Sequence, residues 1–88
     1  MTRYLISPDA ACAAVHDGTV VLNMRTKRYY SLNETGALVW QVLENNGSSD
    51  EAVSSLIAGY DVDAATATET VTRLLAELTA EALIEPVA

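Results

Sequence analysis

Arg25-Thr26-Lys27-Arg28-Tyr29-Tyr30-Ser31-Leu32-Asn33-Glu34-Thr35-Gly36-Ala37-Leu38-Val39-Trp40 contains the change of period that decides the fold. From Arg28 to Leu32 the residues read as a strand, with Tyr30 and Leu32 on one face and Tyr29 and Ser31 on the other. At Asn33 the pattern becomes helical. The Asn33 side-chain oxygen can accept a backbone N–H of the first turn, and Leu32 before it can pack on Ala37 as a hydrophobic staple. Apolar Leu38, Val39, Trp40, Val42 and Leu43 then cover much of the circumference, so this first helix is expected to be the most buried of the set, with Trp40 in the core.

Upstream, Asp17-Gly18 separates two short apolar runs, Ala13-Ala14-Val15-His16 and Thr19 to Arg25. Asp-Gly between such runs predicts a tight hairpin, since both central residues tolerate positive φ. In the second run Val20, Leu22 and Met24 alternate with Val21, Asn23 and Arg25, the period of a strand with one buried face. Thr26-Lys27 turns the chain into the third strand, Arg28 to Leu32. Downstream, Asn45-Asn46-Gly47 ends the first helix. Ser48-Ser49-Asp50-Glu51 has capping-box spacing before a second helix carrying Val53, Leu56, Ile57 and Tyr60. Asp63 can cap a third, in which Ala67, Val71, Leu74, Leu75 and Leu78 form an apolar stripe with Glu69, Arg73, Glu77 and Glu81 outside it. Pro86 stops any helix before the C-terminus. The expected fold is α+β: a three-stranded antiparallel sheet followed by three helices, winged helix-turn-helix-like, in one domain over residues 1–88.

Composition narrows the function. The 88 residues carry a formal net charge of −7, with twelve carboxylates against five Lys and Arg. That balance opposes general affinity for phosphate backbones or anionic membranes. One cysteine, Cys12, excludes an internal disulfide, and no apolar run reaches the roughly 18 residues of a membrane span. No hydrophobic stretch of signal-peptide length develops before Pro8, so a cytoplasmic protein is expected.

Catalytic motifs are absent: there is no P-loop, G-x-S-x-G or G-x-G-x-x-G. Cys12 and His16 are too far apart on a strand, about 13 Å, to share a metal or form a dyad. Cys12 reads as a small buried thiol and His16 as a surface or edge side chain. Glu69, Arg73 and Glu77 stand at i, i+4 and i+8, and either pair among themselves or face a charged ligand. A winged-helix DNA-binding regulator is the competing class, but its recognition helix would set three glutamates against one arginine. The basic turn of Arg25, Lys27 and Arg28 would serve as a wing touching phosphate only weakly, with three charges on so acidic a body, and its simpler reading is protection of an exposed strand edge.

The ordered set of an apolar strand, a basic turn, Tyr29-Tyr30-Ser31-Leu32-Asn33, a helix start with Gly36 and Trp40, a helix ending near Tyr60-Asp61-Val62 and a last helix closing in Leu83-Ile84-Glu85-Pro86 resembles the PqqD-like proteins. These are precursor-peptide recognition elements in the biosynthesis of ribosomally made, post-translationally modified peptides. The chain departs from the family at Lys27 and Ala82, where glycine is frequent. The resemblance implies a domain without catalytic activity or cofactor that binds the leader of a precursor peptide. The leader is added as an antiparallel strand beside Arg28, Tyr29, Tyr30, Ser31 and Leu32, with side chains entering a groove to Thr70, Arg73, Leu74, Glu77 and Leu78. The length resembles the stand-alone recognition proteins of lasso-peptide pathways, which imply a separate leader peptidase and a cyclase as partners. Pyrroloquinoline quinone and other modified-peptide pathways use similar domains.

Overall fold

A computed structural model describes residues 3–16, 18–45 and 47–87. The elements in order are β1 (Arg3–Ile6), β2 (Ala10–Val15), β3 (Gly18–Asn23), β4 (Arg28–Leu32), α1 (Glu34–Glu44), α2 (Ser49–Gly59), α3 (Ala64–Ala80) and β5 (Ile84–Val87). β2, β3 and β4 form the expected antiparallel sheet in that order, and the strand expected third is β4 with the expected bounds. The Asp17-Gly18 turn involves Asp17, outside the described residues, as is Asn46 of the segment expected to end α1. Gly18 itself is required where it stands: a Cβ there would lie 1.9 Å from the Leu32 carbonyl oxygen of the strand opposite.

Two features depart from the sequence reading. The termini form a second antiparallel sheet, in which β1 pairs with β5 from Arg3 opposite Val87 to Ile6 opposite Ile84. Leu83-Ile84-Glu85-Pro86 therefore does not close the last helix; the helix ends at Ala80 and the chain turns into β5, a strand that tolerates Pro86 because it lies at a sheet edge. The second departure is Cys12, which is exposed on β2 rather than buried.

β3 buries the less apolar of its faces. Val21 and Asn23 are almost fully enclosed, whereas Leu22 and Met24 are exposed. The core beneath this face is built by Leu32, Val39, Trp40, Leu43, Leu56 and the five-residue stripe of α3, Ala67, Val71, Leu74, Leu75 and Leu78. Each large side chain fully withdrawn from water stabilises the fold by roughly 1.5–3 kcal/mol. α1 packs against β3, β4 and α2, and α2 against α3, so the helices cover only the inner side of the sheet.

All three helix starts are capped as their sequences predict. Asn33 Oδ1 accepts from the Gly36 N–H (2.9 Å), Ser48 Oγ from Glu51 (3.3 Å) and Asp63 Oδ1 from Thr66 (2.7 Å). Lys27 and Ala82, the two positions where the sequence departs from the pattern it resembles, are the two non-glycine residues with left-handed backbone among those described, at φ 65° and 57°.

Candidate functional site

β4 is the last strand of its sheet. One side pairs with β3, from Thr19 opposite Leu32 to Asn23 opposite Arg28, and the other side meets no strand among the described residues. A strand edge of this kind presents unpaired backbone donors and acceptors.

The edge is placed by Asn23. Its Oδ1 accepts from the N–H groups of Arg25 (3.0 Å) and Thr26 (3.2 Å), and its own carbonyl accepts from Lys27 (2.8 Å), which shapes the turn into β4. Its Nδ2 donates to the carbonyls of Glu81 (3.1 Å) and Ala82 (3.3 Å) at the end of α3. One buried side chain thus ties the β3–β4 turn to the helix C-terminus and fixes how far β4 stands from α3. A buried amide with these bonds satisfied is stable; with them broken it is costly.

Between β4 and α3 runs a groove of about 210 Å³ lined by Tyr30, Ser31, Leu32, Asn33, Thr35, Gly36, Thr70, Arg73, Leu74 and Glu77. Leu32 and Leu74 give it an apolar base, and Thr35 and Gly36 close one end. Gly36 has no side chain to fill this end, and a Cβ there would stand 3.1 Å from Leu32 Cδ2. Across the middle the Tyr30 hydroxyl donates to Glu77 Oε2. That hydrogen bond, with burial and the Glu77 charge adding to it, pushes the Tyr30 phenol up to about 12. Tyr30 is therefore a neutral donor at any physiological pH. At the far end Arg28 pairs with Glu81 at 3.2 Å.

Of the ten residues expected at the site, seven line this groove: Tyr30, Ser31, Leu32, Thr70, Arg73, Leu74 and Glu77. Arg28 lies beyond its rim in the ion pair with Glu81. Leu78 is completely buried and belongs to the core behind the groove. Tyr29 is 71% exposed, opposite Leu22 on the outer face of the sheet, so only its backbone faces the edge. Asn33, Thr35 and Gly36 also line the groove; the cap that starts α1 is legible in the sequence, but its place beside the groove is not.

Arg73 forms no ion pair with Glu69 or Glu77 among the described residues, so the self-paired reading of that i, i+4, i+8 series does not hold. Two of the three basic residues of the turn pair with carboxylates, Arg25 with Asp9 at 3.6 Å and Arg28 with Glu81. A larger hollow of about 450 Å³, lined by residues including Leu5, Ile6, Pro8, Arg25 and Ile84, shares no residue with the groove. Among the described residues no cluster of His, Cys, Asp and Glu could hold a metal ion, and no helix is long and apolar enough to cross a membrane.

A three-stranded sheet with a free outer strand, backed by three helices and facing the last of them across a groove, is the architecture implied by the sequence resemblance. Residues 18–84 match the family described as Coenzyme PQQ synthesis protein D (PqqD), and the chain belongs to that family. Two solved structures are similar over nearly the whole chain. One, described as TbiB1 in complex with the TbiA(beta) leader peptide, superposes with a TM-score of 0.87 at 30% identity, covering 96% of this chain and 98% of that one. The other, lasso peptide synthetase B1 complexed with the leader peptide, gives 0.84 at 26% identity, covering 94% and 98%. No curated protein matches the sequence.

Proposed function

We propose that this protein is a non-catalytic recognition element that binds the leader of a ribosomal precursor peptide as an added antiparallel strand on β4. The observation that carries this reading is the coincidence of an unpaired strand edge with a groove running beside it to α3. Such strand addition draws affinity from backbone hydrogen bonds and specificity from pockets that take alternate side chains. The backbone of Arg28 to Leu32 supplies the bonds. The groove residues Thr70, Arg73, Leu74 and Glu77 meet the inward side chains, with Leu78 supporting Leu74 from the core. The two similar structures both hold a leader peptide, and one is described as lasso peptide synthetase B1. By that likeness the pathway is lasso-peptide maturation in the cytoplasm, where the bound leader is presented to a separate leader peptidase and a cyclase.

The test is an NMR titration of the labelled protein with the synthetic leader of a lasso-peptide precursor. Amide shifts should concentrate in β4 and along Thr70 to Glu77. Binding that leaves both silent overturns the assignment.

A further inference from the structure

Resting on that reading, we infer that Arg73 is a specificity residue that selects a leader carrying a carboxylate on a groove-facing side chain. Three observations lead there. The first is the pairing of strand and helix: Leu32 and Thr70 line one end of the groove, Tyr30 bonds Glu77 in the middle, and Arg28 bonds Glu81 beyond it. β4 and α3 therefore run in opposite directions, and an antiparallel strand added to β4 runs with α3. Two residues of that strand advance about 6.6 Å, close to the roughly 6 Å of four helix residues. Each inward leader side chain thus meets one turn of α3.

The second observation is how the charges on those turns are engaged. Glu77 accepts the Tyr30 hydroxyl and Glu81 holds Arg28, so an oxygen of each carboxylate is already used within the protein. Arg73 lines the groove, and among the described residues it makes neither a hydrogen bond nor an ion pair. Its charge nonetheless acts on the Tyr30 hydroxyl, opposing the upward shift, which places the guanidinium within electrostatic reach of the groove's centre. A guanidinium has five donors suited to bidentate capture of a carboxylate.

The third is the body around it. At a net charge of −7 the protein repels an acidic peptide at long range. Acidic leader side chains are therefore tolerated only where a local cation meets them, and along this groove that cation is Arg73.

The experiment is a double-mutant cycle by calorimetry at low salt. Wild type and Arg73→Gln are each titrated with the synthetic leader and with the same leader carrying Gln or Asn at its acidic groove-facing positions. The Arg73 side chain is exposed, and unchanged thermal unfolding of Arg73→Gln verifies an intact fold. The expected result is a loss of about three- to tenfold for Arg73→Gln with the acidic leader, little loss with the neutralised one, and a shallower salt dependence. Equal losses with both peptides, or none, overturn the assignment of Arg73 while leaving leader binding at β4 standing. A leader that shifts β4 but has no acid among its alternate positions overturns it equally. If the wild type binds neither peptide, the leader-binding reading fails as well.

Discussion

Tyr30 on β4 donates its hydroxyl to Glu77 on α3, joining the two walls of the groove at its centre. The bond requires the protonated phenol, and the fold holds the Tyr30 pKa at about 12 against an ordinary 10.0. A group whose folded pKa is raised contributes stability that is fully present below its unfolded value and lost as pH climbs through the folded one. The contribution of Tyr30 should thus be complete below about pH 10 and vanish towards about pH 12. Tyr30→Phe should lower the melting temperature at pH 8, and the gap from wild type should narrow at pH 11.5. A gap independent of pH would show that the hydroxyl proton is not what holds the walls together.

Asn23 should be the most sensitive polar position. Asn23→Ala strands the Glu81 and Ala82 carbonyls and the Arg25 and Thr26 N–H groups together. Losing a buried, multiply bonded amide should cost roughly 2–4 kcal/mol by urea unfolding. Because Asn23 also sets the distance between β4 and α3, leader affinity should fall even under conditions where the variant stays folded. A cost under about 1 kcal/mol would mean that water replaces these bonds.

Lys27 and Ala82 are held in left-handed backbone, which costs a residue bearing a Cβ about 1–2 kcal/mol. Glycine relieves that strain but loses more conformational entropy on folding. Lys27→Gly and Ala82→Gly should each stabilise the protein by a net of about 0.5–1 kcal/mol, seen as a raised urea midpoint with an unchanged slope. Both turns are bonded to Asn23, so the double variant need not equal the sum. A lowered midpoint would show that the left-handed turns are unstrained as they stand.

The legibility of this chain divides along sequence distance. The bounds of β4 and the caps at Asn33, Ser48 and Asp63 involve residues within four positions of each other, and the sequence specified them. The stripe of α3 was legible because burial on a helix follows its period. The buried face of β3 was not. Its outer residues Val20, Leu22 and Met24 are more apolar than Val21 and Asn23, yet Asn23 is drawn inward by bonds to carbonyls 58 and 59 residues away. The pairing of β1 with β5 joins opposite ends of the chain, and neither segment alternates long enough to announce itself. At the site, the positions of Tyr30, Arg73 and Glu77 followed from family likeness. That Tyr30 would engage Glu77, leaving Arg73 without an ion pair among the described residues, is a tertiary fact joining positions 47 residues apart in the chain.

The start of α3, which forms one wall of the groove, should be acid-sensitive through Asp63. Its carboxylate accepts the Thr66 backbone N–H at 2.7 Å, and this bond, with a second from the Thr66 side chain, holds its pKa below the usual 3.8. A depressed carboxylate pKa contributes stability above the unfolded value that is lost as pH falls through the folded one. Asp63→Ala should therefore melt below wild type at pH 7, where the charged cap also favours the positive end of the helix dipole. As pH drops below about 4 the two melting curves should converge, because the protonated side chain is a poorer acceptor. Circular dichroism melts from pH 7 to pH 2.5 measure this directly. A difference that stays constant across that range would assign the cap to side-chain shape rather than to the Asp63 charge.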